Sequence, residues 1–264
     1  MATRRLKITL QYDGEPYCGW QFQANGPSLQ QTVEEALEKM MGSGKVRLFA
    51  AGRTDAGVHA AALPAHFDTE HSIPAERLPL AMAPFLPASI SILSAEEVGP
   101  EFDARRSAVL RWYRYQIVQA SRRRPLGPRA WQVHHPLDFG AMERGLELLL
   151  GHHDFNGFRS SECQSNRSEL TMQGASMTRV GDLIALDFKC RSFLHHMIRF
   201  MAGTLVAMGR GKIDEERFLK IRDRGERPYL IDCAPPHGLC LMAVAYSEAE
   251  RQRILEANPA PPSF

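Results

Sequence analysis

The chain has 264 residues, 44% of them hydrophobic and 23% charged, with a formal net charge of +2. That is the composition of an ordinary soluble globular protein of one large domain or two medium ones. No apolar run is long enough to span a bilayer, and Met1–Arg5 leads at once into a strand pattern rather than a signal peptide. The five cysteines (Cys18, Cys163, Cys190, Cys233, Cys240) lack Cys-x-x-Cys spacing, so they predict reduced thiols in a cytosolic protein, without disulfide framework or zinc site.

Leu6, Ile8, Leu10 and Tyr12 alternate with polar residues and predict a half-buried strand, ended by the turn Asp13-Gly14-Glu15-Pro16. Ser28-Leu29-Gln30-Gln31 is a capping box; the helix it opens carries Leu29, Val33, Ala36, Leu37, Met40 and Met41 on one face and stops at Gly42. Residues 46–51 predict a strand, 64–67 a short strand, 74–86 a short helix broken by Pro79 and Pro84, and 89–98 another strand. Further strands are expected over 108–118, 170–180 and 183–190, the last two joined by the hairpin turn Gly181-Asp182. Asp138 caps a helix bearing Phe139, Met142, Leu146, Leu149 and Leu150, and 152–167 reads as a polar surface loop. Helices follow over 192–208 and 214–224, then a final strand over 239–246 and a proline-rich tail over 258–264. Halves 1–104 and 105–248 thus both mix strands and helices in similar order, which predicts two α+β units and a C-terminal tail over 249–264.

Three stretches carry candidate chemistry. The first is Gly52-Arg53-Thr54-Asp55-Ala56-Gly57-Val58-His59-Ala60, a glycine-bracketed loop after an apolar run, with a carboxylate two residues from a guanidinium. It reads either as a polar Asx-type turn or as the seat of a reactive carboxylate. The second runs from Arg105 to Arg129. It holds eight arginines (105, 106, 111, 114, 122, 123, 124, 129) and no acid, interleaved with Trp112, Tyr113 and Tyr115. This is a candidate phosphate-binding stripe, the alternative being a solvated surface balanced by acids elsewhere. The third is the 192–208 helix, where Arg199 lies among Phe193, Leu194, Met197, Ile198, Phe200 and Met201. An Arg there either snorkels to water or meets a carboxylate, and Asp55 is the best carboxylate candidate in the chain. The histidine pairs 134–135, 152–153 and 195–196 lack metal-ligand spacing, and no P-loop, dinucleotide fingerprint or Gly-x-Ser-x-Gly elbow occurs, so no metal is expected.

The nine-residue Asp55 string resembles the signature of the tRNA pseudouridine synthase A family. The likeness extends over nearly the whole chain, through Tyr12-Asp13-Gly14, Gly19-Trp20-Gln21, Arg111-Trp112-Tyr113-Arg114-Tyr115, Phe193 to Arg199, and Ala234-Pro235 to Leu241. It implies two ferredoxin-like halves, with mixed, mainly antiparallel sheets joined across a central catalytic cleft. It implies a cofactor-free, cytoplasmic homodimer that isomerises uridine to pseudouridine at positions 38, 39 and 40 of the tRNA anticodon stem-loop. By the same resemblance Asp55 is the nucleophile, Arg199 its partner and Tyr113 the active-site tyrosine. Arg53 and Leu241 fall at substrate-contacting positions, and Arg105, Arg106, Arg122, Arg123 and Arg124 are the candidate RNA contacts in the basic stretch. The sequence departs from the family at Phe200, where Asn is usual, at Ala62-Leu63, where Gly-Gln is usual, and at Ala83-Pro84-Phe85-Leu86-Pro87, where the family has Asn-Ala-x-Leu-Pro. A non-catalytic RNA-binding protein and a nucleoside glycosidase are the other readings. The latter needs a second catalytic carboxylate, for which no convincing residue stands out.

Overall fold

The computed structural model describes residues 3–24, 26–42, 44–122, 129–227 and 231–260. The alternating first strand forms as β1 (Arg4–Tyr12), with Leu6, Ile8, Leu10 and Tyr12 all buried. Helix α1 (Leu29–Met41) starts where the Ser28 side chain accepts from Gln31 N and ends at Gly42 in the left-handed region, which glycine adopts without strain. Of the 46–51 run only β2 (Phe49–Ala50) is a strand. The amides of Val46 and Leu48 donate to the carboxylates of Glu38 and Glu34 on α1, so they are not offered to a neighbouring strand. β3 (His59–Thr69) is far longer than the 64–67 expected. Pro64 hid it in the sequence, yet its carbonyl faces β2 and accepts Ala51 N, and its missing N–H points the same way, past the end of a two-residue strand. α2 (Leu78–Met82) tolerates Pro79 because the proline lies in the first turn, and β4 (Ile90–Val98) follows.

β5 (Leu110–Gln119) is buried on both faces, and β6 (Trp131–Val133) pairs with it in parallel. α3 (Phe139–Leu149) is capped by Asp138 as expected. The supposed 152–167 loop instead begins with β7 (Gly151–Asp154), and Phe155 and Phe158 after it are fully buried. β8 (Glu169–Val180) and β9 (Leu183–Cys190) form the hairpin, with Gly181 at a positive φ in the turn. α4 (Met197–Gly209) and α5 (Glu215–Arg224) come next, then β10 (Leu239–Ala245) and α6 (Glu248–Glu256).

α6 lies where only a tail was expected. It lacks an apolar stripe, the signal that reveals most helices in a sequence. Polar contacts hold it instead: Arg251 donates to Gln173 on β8, and Lys189 on β9 donates to the carbonyls of Leu255 and Ala257.

The chain divides into two compact units, Met1–Val109 with Cys240–Ser247, and Leu110–Leu239 with Glu248–Phe264. In the first, β4, β1, β3 and β10 lie side by side, with β2 also on β3; all these pairings are antiparallel except β3 with β10. In the second the order is β5-β9-β8-β7, all antiparallel, with β6 added to β5. The fold is therefore α+β with mixed, mainly antiparallel sheet. No helix among the described residues is long and apolar enough to cross a membrane.

Candidate active site

In the first unit the Asp55 loop connects β2 to β3 and is held from below by the chain just after β1. Thr54 is the anchor. Its buried hydroxyl lies 2.8 Å from Tyr12 OH, and its carbonyl accepts Trp20 N at 3.0 Å. Val58 N donates to the Asp55 carbonyl and closes the turn, and Gly57 takes φ 77°. Two glycines below the loop make this approach possible. A Cβ on Gly14 would collide with the Val58 carbonyl oxygen, and one on Gly19, itself at φ 98°, would sit 2.9 Å from the Thr54 carbonyl oxygen. His59 Nδ1 lies 3.1 Å from both the Gly14 amide and Asp13 Oδ1. The strings Tyr12-Asp13-Gly14 and Gly19-Trp20 are thus the seat of the loop, and Trp20 is a buried aromatic within it. Asp55 remains half-buried and Arg53 exposed. Leu241 is 0% exposed and pairs through β10 with Ala60, just past the loop. So constrained a backbone fixes where the Asp55 side chain starts.

In the second unit Tyr113 extends from β5, nearly buried, with its ring edge-on to Phe193 at 5.2 Å between centroids. The helix expected from Ser192 begins only at Met197. The cause is local. The His195 carbonyl accepts from Ser160 N rather than from Arg199 N, and His196 takes φ 60°. Among the described residues His196 is the only non-glycine with positive φ, a conformation that costs energy and tends to occur at functional sites. Arg199 therefore stands in the first turn of α4, not in its middle. Nε donates to the Ala234 carbonyl at 2.7 Å, and Ala234 N donates back to the Arg199 carbonyl at 3.2 Å. A cation at a helix N-terminus opposes the helix dipole, so its position there is not explained by helix stability. Phe200 carries the Arg227 guanidinium 3.4 Å from its ring centroid, and Arg227 donates to the Gly157 carbonyl. At this departure from the family pattern, a cation–π contact occupies the position of an amide side chain.

The arginine stripe does not survive as a block of eight. Arg114 is only 3% exposed and grips Asp187 on β9 side-on, Nε to Oδ1 at 2.9 Å and Nη2 to Oδ2 at 2.8 Å. Trp112 Nε1 donates to the same Asp187 Oδ1. Arg111 is 8% exposed and donates to the Arg191 carbonyl. The neutralising acid lies 73 residues further along, invisible to a local count of charge. Arg105, Arg106, Arg122 and Arg129 are exposed, whereas Arg123 and Arg124 lie outside the described residues. The amides of Arg105 and Arg106 are bound by Asp103. Burial alone would raise the Asp103 carboxyl, but these amides and the neighbouring positive charges lower it on balance.

The profile described as tRNA pseudouridine synthase matches residues 8–105 and 146–247. The tRNA pseudouridine synthase A of Pelobacter propionicus is 43% identical over 92% of this chain and 100% of its own. That of Geotalea daltonii is 41% identical over the same shares, and that of Afipia carboxidovorans 42% identical over 92% of this chain and 99% of its own. The archaeal box H/ACA sRNP Nop10–Cbf5 structure aligns at 8% identity with a TM-score of 0.35, covering 77% of this chain and 43% of that one, which carries no argument. With a family profile over most of its length and relatives this similar along the whole of theirs, the chain belongs to the tRNA pseudouridine synthase family, enzymes that isomerise uridine to pseudouridine.

Proposed function

We propose that this chain isomerises uridine at positions 38, 39 and 40 of the tRNA anticodon stem-loop, with Asp55 as nucleophile and without a cofactor. The observation that carries the reading is the seat of Asp55, a half-buried carboxylate on a loop pinned by Tyr12, Trp20, Gly14 and Gly19. The reaction balances by itself. The carboxylate bonds to C6 of uracil or to C1′ of the ribose, and the N1–C1′ bond breaks. The base turns, C5 bonds to C1′, the C5 proton is lost while N1 takes one up, and the carboxylate is released. Product and substrate are isomers, so no electron or group must be supplied. Arg199 keeps Asp55 ionised and oriented through its positive charge. Tyr113 stacks on the everted base, and its phenol takes or relays the C5 proton. Arg53, exposed beside Asp55, contacts RNA near the everted nucleotide. Leu241, being fully buried, backs the loop instead of touching the substrate.

Eversion costs a few kcal/mol, offset by stacking and by phosphate contacts. Of the basic residues, exposed Arg105, Arg106 and Arg122 make those contacts, together with Arg123 and Arg124 in the same stretch of chain. RNA is gripped by its backbone and shape more than by base edges, which suits many tRNA substrates. The enzyme works in the cytoplasm as a homodimer.

The test is carbodiimide labelling of an anticodon-arm RNA incubated with the protein in chelator-treated buffer. Pseudouridine at positions 38–40 with no free uracil is the expected result. Free uracil would indicate a glycosidase, and unmodified RNA a binding protein. Replacing Arg105 and Arg106 together by Gln should reduce the slope of log affinity against log salt by roughly 1–2 if both contact phosphates. An unchanged slope in filter-binding titrations removes them from the interface.

A further inference from the structure

A phenol one strand-step beyond Tyr113 is tied to Arg199 through the backbone. Tyr115 is fully buried in β5, and its hydroxyl donates to the Pro235 carbonyl at 2.8 Å. The adjoining residue, Ala234, holds Arg199 by the reciprocal pair of hydrogen bonds described above. The segment from Asp232 to Gly238 is pressed into place at both ends. A Cβ on Gly203 in α4 would collide with the Asp232 carbonyl, and one on Gly238 would lie 2.9 Å from the Tyr115 ring and from the Gln116 carbonyl. Burial pushes the Tyr115 phenol well above its ordinary value, against the field of Arg199, so it stays a donor throughout the working pH range.

We infer that Tyr115 is a positioning residue, fixing the Pro235 carbonyl so that the Ala234 carbonyl holds Nε of Arg199 and aims its guanidinium end-on. An arginine whose Nε binds a carbonyl meets a carboxylate through Nη1 and Nη2, and the direction of that edge is set by where the carbonyl stands. The strap between Asp232 and Gly238 is therefore part of the catalytic geometry through its backbone carbonyls. This inference rests on the reading of Arg199 as the partner of Asp55.

The test is a double-mutant cycle with Tyr115→Phe and Arg199→Lys, reading single-turnover kcat, KM and tRNA affinity well below each variant's melting temperature. Tyr115→Phe should lower kcat about tenfold with KM and affinity within about twofold, because misaiming a catalytic group weakens the chemical step and not binding. In the Arg199→Lys background, which has no planar fork to aim, Tyr115→Phe should have no further effect. Gly203→Ala, which displaces Asp232 without touching the phenol, should show the same dependence on Arg199. If Tyr115→Phe leaves kcat intact, or multiplies the loss in the Lys background, the positioning role is wrong. If Arg199→Lys is itself fully active, the reading of Arg199 falls, and this inference with it.

Discussion

Asp55→Asn should abolish pseudouridine formation, by a factor on the order of 10⁴ or more, while leaving the fold and tRNA affinity unchanged. The size of the effect follows from the role, since residues that form the covalent bond carry losses of that order. The selectivity follows from the loop. Bonds that close it use backbone atoms and Thr54: Val58 N to the Asp55 carbonyl, Trp20 N to the Thr54 carbonyl, and Tyr12 to the Thr54 hydroxyl. An isosteric amide leaves those bonds in place. Asp55→Glu should also fail, by about 10²-fold, because one added methylene moves the carboxylate by about an ångström on a backbone that cannot yield. Carbodiimide mapping and an affinity titration on the same preparations decide the matter. Normal turnover by the Asn variant would remove Asp55 from the mechanism.

The largest effect on stability is expected at a position with no part in the chemistry. Asp187→Asn should destabilise the protein by about 3–5 kcal/mol, because it leaves the Arg114 guanidinium buried without its counter-charge. Asp187 is 0% exposed and receives three donors, Arg114 Nε and Nη2 and Trp112 Nε1. At roughly 2–4 °C per kcal/mol the melting temperature should fall by roughly 10 °C. Replacing the pair together, with Arg114→Met and Asp187→Leu, should recover part of the loss, since the stranded charge disappears. Recovery is incomplete because Trp112 then lacks its acceptor and Arg114 no longer donates to the Pro259 carbonyl. A single variant within 1 °C of the parent, a difference near the ordinary range for surface substitutions, would show that the pair is solvated in solution.

The Asp187 pair also marks where sequence reading fails. Elements whose cause is local were legible: the alternation of β1, the Ser28 cap and Gly42 stop of α1, the Asp138 cap, and the Gly181-Asp182 turn. Where the cause is distant, the reading went astray. The 46–51 run is apolar like a strand, but carboxylates on α1 take its amides. The helix bearing Arg199 starts late because Ser160 claims the His195 carbonyl. α6 is held by polar groups from β8 and β9, which no periodicity announces. The Asp55 string stood out because its glycines and its acid are contiguous. Its seat, Gly14 and Gly19, could be recognised only through the family resemblance, since the need for close backbone approach is a property of the folded loop.

Arg114 waits for a carbonyl 145 residues further along, and the amide of Val109 and the carbonyl of Ala104 find partners in Ala245 and Tyr246. The first unit is thus closed by a strand translated long after the rest of it, and the second by a helix that follows soon after its own main stretch, so neither can finish folding while the ribosome still hides that strand and helix. A nascent chain stalled before residue 239 holds β3 with the His59–Ala60 end of one flank uncovered and a cation without its last ligand, which makes that stage of synthesis the one most exposed to mispairing and to chaperones.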